Sequence, residues 1–210
     1  MENLQNLSMN KYKELTQKTK ETNKALLLEL VDKIPFLRDP SQFLDYLNVS
    51  DFYYAPASTV FHDSVCGGLF VHSLRVFRAI VSLNKMLESR EKFSPESLFY
   101  VAFGHDVCKI DFYYPVERFR KDKDDHWEKY LGYEVRDSFP LGHGEKSVFI
   151  MSKYVPLKEE EILAIRWHMG GFDLAVHDKI GSYAYKAACE FSPLTSMLHC
   201  ADLLATYIFN

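Results

Sequence analysis

The chain has 210 residues, of which 47% are hydrophobic and 26% charged, and its formal net charge is −4. This length supports one domain with a sizeable core, or one domain with an added segment. The acidic balance excludes a protein that coats nucleic acid through a generally basic surface. The apolar runs are too short to span a bilayer, and the N-terminus lacks the layout of a signal peptide, so we expect a cytoplasmic protein with no membrane partner.

The first third of the chain is predicted to be helical. Residues 1–32 are typical of a polar helix, and "SQFLDYL" is typical of a short helix within a connector marked by prolines. Apolar residues then recur at helical spacing through "GGLFVHSLRVFRAIVSLNKML". We expect residues 1–55 to form a helical extension that packs on the core, and residues 56–210 to form the main domain.

A further helix is predicted in "SPESLFYVAFGHDV". Ser94 suits the N-cap, Pro95 suits the first helical position, and Glu96 places a negative charge where the helix dipole favours it. Residues 111–142 then lose the helical period and are rich in tyrosine, phenylalanine and charge. Part of this insertion, "WEKYLGYEVRDSF", is compatible with a small hairpin.

Helical patterns resume in "GHGEKSVFIMSKYV", in "KEEEILAIRWHMG" and in "SPLTSMLHCADLLATYI". Five or more helices with one insertion predict an all-α fold with a small irregular or β-hairpin insertion. The four cysteines show no CxxC spacing, which excludes zinc-ribbon and thioredoxin motifs, and we expect reduced thiols packed among apolar residues.

Several of the eight histidines stand beside glycine at predicted helix ends. A single histidine on an apolar helix is usually a packed core residue, but four in similar settings need another explanation. The adjacent pair His105 and Asp106 and the carboxylate of Asp202, which lies in an apolar helix, strengthen that need. A buried carboxylate requires a cation or several hydrogen-bond donors nearby.

Five separated motifs occur in a fixed order: "GGLFVHSL", "GHDVCKI", "GHGEKS", "RWHMG" and "HCADLL". They resemble successive motifs of the HD-domain superfamily of metal-dependent phosphohydrolases, over roughly residues 60–208. The opening motif and the "GHG" after an aromatic insertion are similar to the HD domain of bacterial 3′–5′ exoribonucleases. The resemblance implies an HD-type helical bundle.

The resemblance also implies a set of metal ligands. The first metal would be held by His72, His105, Asp106 and Asp202. Asp106 would bridge to a second metal held by His143 and His168. Imidazoles and carboxylates suit Mn²⁺, Fe²⁺, Ni²⁺, Co²⁺ or Zn²⁺, so we expect one or two divalent transition-metal ions as cofactor.

Catalysis in such a site is expected to involve Asp106 and Lys109. Lys109 could offset charge on phosphate oxygens, or it could be only a cation at a helix end. The candidate residues for substrate binding are His62, Lys109, Tyr113, Arg118 and Arg120. Each also has a plainer interpretation, as a loop histidine, a packed aromatic or a solvated charge among acids. We expect the insertion at 112–139 to wall the substrate pocket and to lie outside the core.

The resulting hypothesis is a metal-dependent phosphohydrolase that cleaves a phosphoester of a nucleotide or short oligonucleotide with metal-activated water. Its alternatives are a 3′–5′ exonuclease on single-stranded nucleic acid and a non-catalytic HD module that binds a nucleotide. A purely structural helical domain leaves the polar set unexplained. The expected partners are therefore a small nucleotide or a short single strand, and a homo-oligomer is compatible with the sequence.

Overall fold

The computed structural model describes residues 9–59, 63–88 and 92–209. Within these ranges the chain is mostly helical, with a two-stranded antiparallel sheet, which confirms the expected all-α fold with a hairpin insertion. The helices are α1 (Met9–Val31), α2 (Ser41–Val49), α3 (Gly68–Met86), α4 (Pro95–Gly104), α5 (His143–Met151), α6 (Glu159–Trp167), α7 (Lys179–Phe191) and α8 (Pro193–Tyr207). The strands are β1 (Tyr113–Lys121) and β2 (Trp127–Val135), and 3-10 turns occupy Val107–Lys109, Gly170–Phe172 and Leu174–His177.

Helix α4 is the centre of the core. Every residue from Glu96 to Gly104 is buried, and the rings of Phe99 and Phe103 lie 4.8 Å apart. Helices α3 and α6 pack against α4, and α8 packs against both α3 and α6. A Cβ on Gly104 would lie 2.8 Å from the Met151 side chain, so glycine allows α5 to approach the end of α4 closely. The residues that follow α4 therefore lie in the middle of the molecule.

The predicted helix starts are present. The Ser94 hydroxyl accepts a hydrogen bond from the Ser97 amide with Pro95 in the first turn of α4, and Ser192 caps α8 in the same way. Helix α7 was not predicted from the sequence. Its own N-cap, Asp178, accepts hydrogen bonds from the amides of Ile180 and Gly181. That cap was a readable signal for a helix start.

The insertion forms a longer hairpin than expected, because β1 begins at Tyr113 and pairs with Val135 at the base. The base of the hairpin is core, contrary to the expectation for this segment. Leu131 and Tyr133 are buried in a second, small cluster with Tyr12 of α1. The tip is solvated, since Trp127 is 70% exposed.

Helix α1 reaches the main core near its end. Leu27 is buried in the same cluster as Phe43 of α2 and Phe70 of α3, and the Asn23 side-chain amide donates to the Tyr53 carbonyl at 2.7 Å. The division of the chain at residue 55 stays a prediction. Among the described residues, no helix is both long enough and apolar enough to cross a membrane. The cysteines are free thiols; Cys66 and Cys108 are buried, but Cys200 is exposed.

Candidate metal centre

Helix ends and helix faces bring the six proposed ligands together. Asp106 lies at the centre of the cluster, one residue beyond the cap of α4. His143 is the first residue of α5, and His168 follows the last residue of α6. The shortest contacts join His72 Nε2 to Asp202 Oδ1 at 3.0 Å, His143 Nε2 to Asp106 Oδ1 at 2.8 Å, and His105 Nε2 to His72 Nε2 at 3.3 Å.

The two carboxylate oxygens of Asp106 face different groups. Oδ2 lies 3.4 Å from His105 Nε2 and 3.8 Å from His72 Nε2. Oδ1 lies 2.8 Å from His143 Nε2 and 3.8 Å from His168 Nε2. In each of these two groups, the ligand atoms lie within 4.8 Å of one another. A third group of the same size joins Asp202 to the histidines that follow α4 and α6.

His105 and His168 are oriented by the helices that precede them. Each donates its Nδ1–H to the carbonyl three residues earlier, at 2.8 Å to Ala102 and at 2.7 Å to Ile165. We infer from these bonds that Nδ1 is the protonated nitrogen turned toward the helix and that Nε2 points toward Asp106, where a bound metal ion would take its lone pair. Histidines that ligate metals commonly use their other ring nitrogen in this way.

His168 is the strongest indication that the cluster holds a cation. Burial, together with positive charge on His105 and His143, lowers the pKa of His168 to about 3, so the imidazole is neutral. Its Nε2 is fully buried and has no hydrogen-bond partner among the described residues. An unpaired, neutral imidazole nitrogen directed at a carboxylate fits a metal ligand.

Opposite charges in the cluster stabilise each other's ionised forms. Burial opposes ionisation of Asp106, but Lys109 and His105 hold the pKa of that carboxyl well below its usual range. Lys109 Nζ lies 2.7 Å from Asp106 Oδ2, and this contact raises the pKa of Lys109 against the effect of burial. The pKa of Asp202 is likewise lowered against burial, chiefly by its hydrogen bond to His72.

His143 is the most exposed histidine of the cluster. Its side chain is 32% exposed, whereas those of His72, His105 and His168 are 0–1% exposed. Burial would lower the pKa of His143, but Cys108 and Asp106 raise it to about 10. A metal ion at this position would compete with that proton.

Two residues that contact the cluster, Asp63 and Cys108, were not predicted from the sequence. The buried carboxylate of Asp63 pairs with Arg75 at 2.9 Å and lies 4.0 Å from His72 Nδ1. Cys108 places its sulfur 3.2 Å from His143 Nδ1. Neither residue stands at a spacing typical of metal ligands, so only the folded chain identifies them.

A cavity of about 750 Å³ opens beside the cluster. Five polar residues contribute to its lining: His72, Asp106, Lys109, His143 and Asp202. The rest of the lining is largely apolar; this apolar wall includes Met169, Phe172, Leu203 and Tyr207, and the remaining residues include His199 and Thr206. The cavity thus combines charged and apolar lining residues. None of the residues of the apolar wall was among the predicted substrate-binding residues.

Only some of the predicted substrate-binding residues line the cavity. Lys109 and Tyr113 line the cavity. Arg118 and Arg120 instead bond within the hairpin, Arg118 to the Tyr133 carbonyl at 2.9 Å and Arg120 to the Glu128 carboxylate. The described cavity wall does not include them; both side chains bond to strand β2 instead. His62 lies outside the described residues.

Comparison with other proteins leaves this site to be interpreted from its own residues. No protein-family model matches the chain, and no curated protein or solved structure matches it. The resemblance of its motifs to the HD superfamily therefore stays a prediction. The coarser conclusion is firm: this is a mostly helical protein with a buried cluster of histidines and aspartates that could hold a metal ion.

Proposed function

We propose that this protein is a metal-dependent phosphohydrolase of the HD type, which cleaves a phosphoester of a nucleotide or short oligonucleotide. One observation carries the proposal. A buried cluster of imidazoles and carboxylates, including the unpaired Nε2 of His168, adjoins a cavity that its members His72, Asp106, His143 and Asp202 line together with Lys109. A metal-ligand set next to a fixed cation is the arrangement that phosphoryl transfer uses.

The donor set fits a transition-metal ion. His72, His105, Asp106 and Asp202 would hold one ion, and His143 and His168 would hold a second one with Asp106. Mixed imidazole and carboxylate donors favour Mn²⁺, Fe²⁺, Ni²⁺, Co²⁺ or Zn²⁺ over Mg²⁺, which prefers oxygen ligands. Such an ion lowers the pKa of water and so makes a nucleophile available at neutral pH.

The protein's own groups would bind and orient the substrate. Lys109 is held by Asp106 at 2.7 Å and lines the cavity, so its ammonium group can meet phosphate oxygens without being recruited from solvent. The apolar wall with Phe172 and Leu203 would take the organic part of the ester. A cavity of about 750 Å³ has room for a nucleotide.

The test measures phosphate release from nucleoside monophosphates and p-nitrophenyl phosphate, and cleavage of short oligonucleotides into shorter products, with each of the five metals added to metal-free protein. We expect turnover with at least one metal. Asp106→Asn should reduce turnover by about 10³-fold or more, because it weakens every proposed metal group. The matched control is Asp45→Asn, since Asp45 is exposed on α2, away from the cluster.

The alternatives predict other results. A non-catalytic nucleotide-binding module would bind metal and nucleotide without releasing phosphate. A structural domain would bind neither. A 3′–5′ exonuclease would shorten oligonucleotides and leave nucleoside monophosphates intact. Phosphate release that is equal in wild type and Asp106→Asn would contradict the proposal.

A further inference from the structure

Helix α7 exposes its large apolar side chains to solvent. Ile180, Tyr183 and Phe191 are 83%, 75% and 59% exposed. The inner side of the helix includes small residues: Ala188 is buried, and a Cβ on Gly181 would lie 1.8 Å from a backbone carbonyl oxygen of the preceding 3-10 turn. A surface helix normally turns its large apolar residues toward the core. The outer side of α7 therefore has the composition of a contact surface.

The exposed apolar residues form one stripe. Ile180, Tyr183, Ala187 and Phe191 are all exposed, and they follow one another at spacings of three and four residues. This spacing places them on one face of the helix, over a length of about 16 Å. We call these four residues the α7 face. Contiguous exposed apolar surface of this kind is typical of sites where proteins associate.

Charged residues of both signs border one edge of the α7 face. Lys179, Lys186 and Glu190 are exposed and recur at spacings of seven and four residues, so they share one side of the helix. Lys179 lies at the amino end of this edge and Glu190 at its carboxyl end. Lys186 Nζ lies 3.7 Å from Glu190 Oε1, but both side chains are largely exposed. Such a pair contributes little and leaves Glu190 accessible to a second cation.

We propose that the α7 face binds the α7 face of a second copy of this chain, with the two helices antiparallel about a two-fold axis. In a two-fold interface, residue i of one copy contacts residue j of the other, and j contacts i. Antiparallel alignment sets Tyr183 of each copy opposite Ala187 of the other, so a large side chain meets a small one. The same alignment sets Ile180 opposite Phe191.

The charged edge favours the antiparallel direction. A two-fold axis keeps the charged edges of both copies on the same side of the interface. Antiparallel helices then place Lys179 of each copy beside Glu190 of the other, whereas parallel helices would place like charges together. Both the apolar residues and the charges are therefore complementary to their own reversed order, which is the property that a second copy requires.

The size of the α7 face indicates a weak dimer. A stable interface buries about 800 Å² on each partner. The three large side chains, at their exposures, supply roughly half of this area. We therefore expect monomer and dimer to exchange, with a dissociation constant on the order of 10–100 µM.

Sedimentation equilibrium of the full chain at low salt, from about 1 to 500 µM, tests the proposal. Wild type should convert from monomer to dimer across this range. Ile180→Ser should weaken dimerisation by at least about 10-fold, because the loss occurs twice in a two-fold interface. Val49→Ser is the matched control, since Val49 is 84% exposed at the end of α2. It should dimerise as wild type does.

Exchange of the two charges tests the antiparallel arrangement. Lys179→Glu and Glu190→Lys should each weaken dimerisation by roughly 3–10-fold, because like charges then meet at both contacts. An equal mixture of these two variants should recover the affinity, since opposite charges meet again in the mixed dimer. The variant that carries both changes should recover it too. Contact with a different protein would not give this recovery.

Three results would overturn the proposal. The first is a wild type that stays monomeric up to about 500 µM. The second is a dimer that Ile180→Ser leaves unchanged, because the contact would then lie on another face. The third is a set of charge variants whose affinities equal that of wild type. The measurement involves no metal and no substrate, so its outcome is independent of the proposed function.

Discussion

His199 packs against Gly170, where both the backbone conformation and the available space disfavour any larger residue. Gly170 has a φ of +52°, and a Cβ there would lie 2.5 Å from the Cε1 atom of His199. His199 in turn donates its Nδ1–H to the carbonyl of His168 at 2.7 Å. The backbone of a proposed metal ligand is therefore supported by a ring that only glycine can accommodate.

Gly170→Ala should destabilise the protein by about 1–2 kcal/mol from the left-handed backbone alone, with a further cost from displacing His199. Gly171→Ala is the matched control, because a Cβ at Gly171 meets nothing within 4 Å. Urea unfolding of the two variants measures the difference. Equal stabilities would show that His199 moves aside without cost.

His168 provides a second test at the level of single residues. Because a metal binds the folded site only, 100-fold excess over its dissociation constant should stabilise wild type by about 2.7 kcal/mol and raise Tm by about 5–10 °C. His168→Ala should lose a large part of this shift. His177→Ala, which removes an exposed imidazole at the end of the 3-10 turn Leu174–His177, should keep it. Thermal melts with and without Ni²⁺ or Mn²⁺ measure both, and an undiminished shift in His168→Ala would remove His168 from the ligand set.

At the level of elements, a buried ion-pair network joins α4 to α6. Arg38 binds Glu161 through both terminal nitrogens, at 2.6 and 2.7 Å, and its Nε lies 3.2 Å from Glu96. Glu96 also accepts hydrogen bonds from the amides of Leu37 and Arg38. One guanidinium therefore neutralises two carboxylates and holds the starts of both helices.

Removing Arg38 should leave those carboxylates buried without a cation. We expect Arg38→Ala to cost about 3–5 kcal/mol, and Arg38→Lys to recover only part, because an ammonium cannot form the paired contact. Arg120→Ala is the control. In its pair with Glu128, the side chain of Arg120 is 38% exposed and that of Glu128 is 36% exposed. Loss of this pair should therefore cost at most about 1 kcal/mol. Guanidinium unfolding tests the ranking, and similar losses for Arg38→Ala and Arg120→Ala would contradict it.

The two halves of the hairpin should respond differently to mutation. Replacing residues 119–129 by Asn-Gly joins the paired residues Arg118 and Tyr130 through a two-residue turn. Because the removed tip is solvated, the free energy of unfolding should change by less than about 1 kcal/mol. Tyr133→Ala at the buried base should cost about 3 kcal/mol, since it empties the cluster with Tyr12. Urea unfolding measures both, and a tip deletion that unfolds the protein would show that the tip is core.

At the level of the whole molecule, Asp51 joins the segment that follows α2 to the chain beyond the metal motif. Its carboxylate accepts a hydrogen bond from the backbone amide of Asp111 at 2.9 Å. Burial, reinforced by the negative charge of Asp111, raises the pKa of Asp51 to about 7. The phenols of Tyr46 and Tyr54 lie in the same region, and burial raises the pKa of each.

The raised pKa of Asp51 sets a direction for stability against pH. The folded protein binds this proton more tightly than the unfolded chain, so the stabilisation is full at low pH and is lost as pH rises through about 7. Asp51→Asn stays neutral and should gain stability relative to wild type between pH 5 and pH 8. Asp45→Asn, an exposed carboxylate, should show no such trend. Denaturant unfolding across this range measures the difference, and a constant difference for Asp51→Asn would show that Asp51 is ionised throughout.

Much of the fold could be predicted from local patterns. Helix α4 has its apolar run, its Ser94 cap and its Pro95 within ten residues, so the interactions that form it are close in sequence. The same holds for α8. Helix α7 was missed even though Asp178 caps it and its apolar residues recur at helical spacing, so a local signal was present. In the folded chain this helix is peripheral: Ile180 and Tyr183 are 83% and 75% exposed. The strands were only partly predicted, since pairing depends on residues far apart in the chain.

The sequence by itself determined the helical class, the helix starts at Ser94 and Ser192, and the set of imidazoles and carboxylates available for a metal. These follow from side-chain chemistry and from contacts within one or two helical turns. Only the tertiary structure decided how those groups meet: that Asp106 faces two sets of histidines, that the sulfur of Cys108 lies beside the ring of His143, and that Arg118 and Arg120 bond within the hairpin. Such contacts join separate elements, and the packing of α3, α5, α6 and α8 around α4 sets their distances.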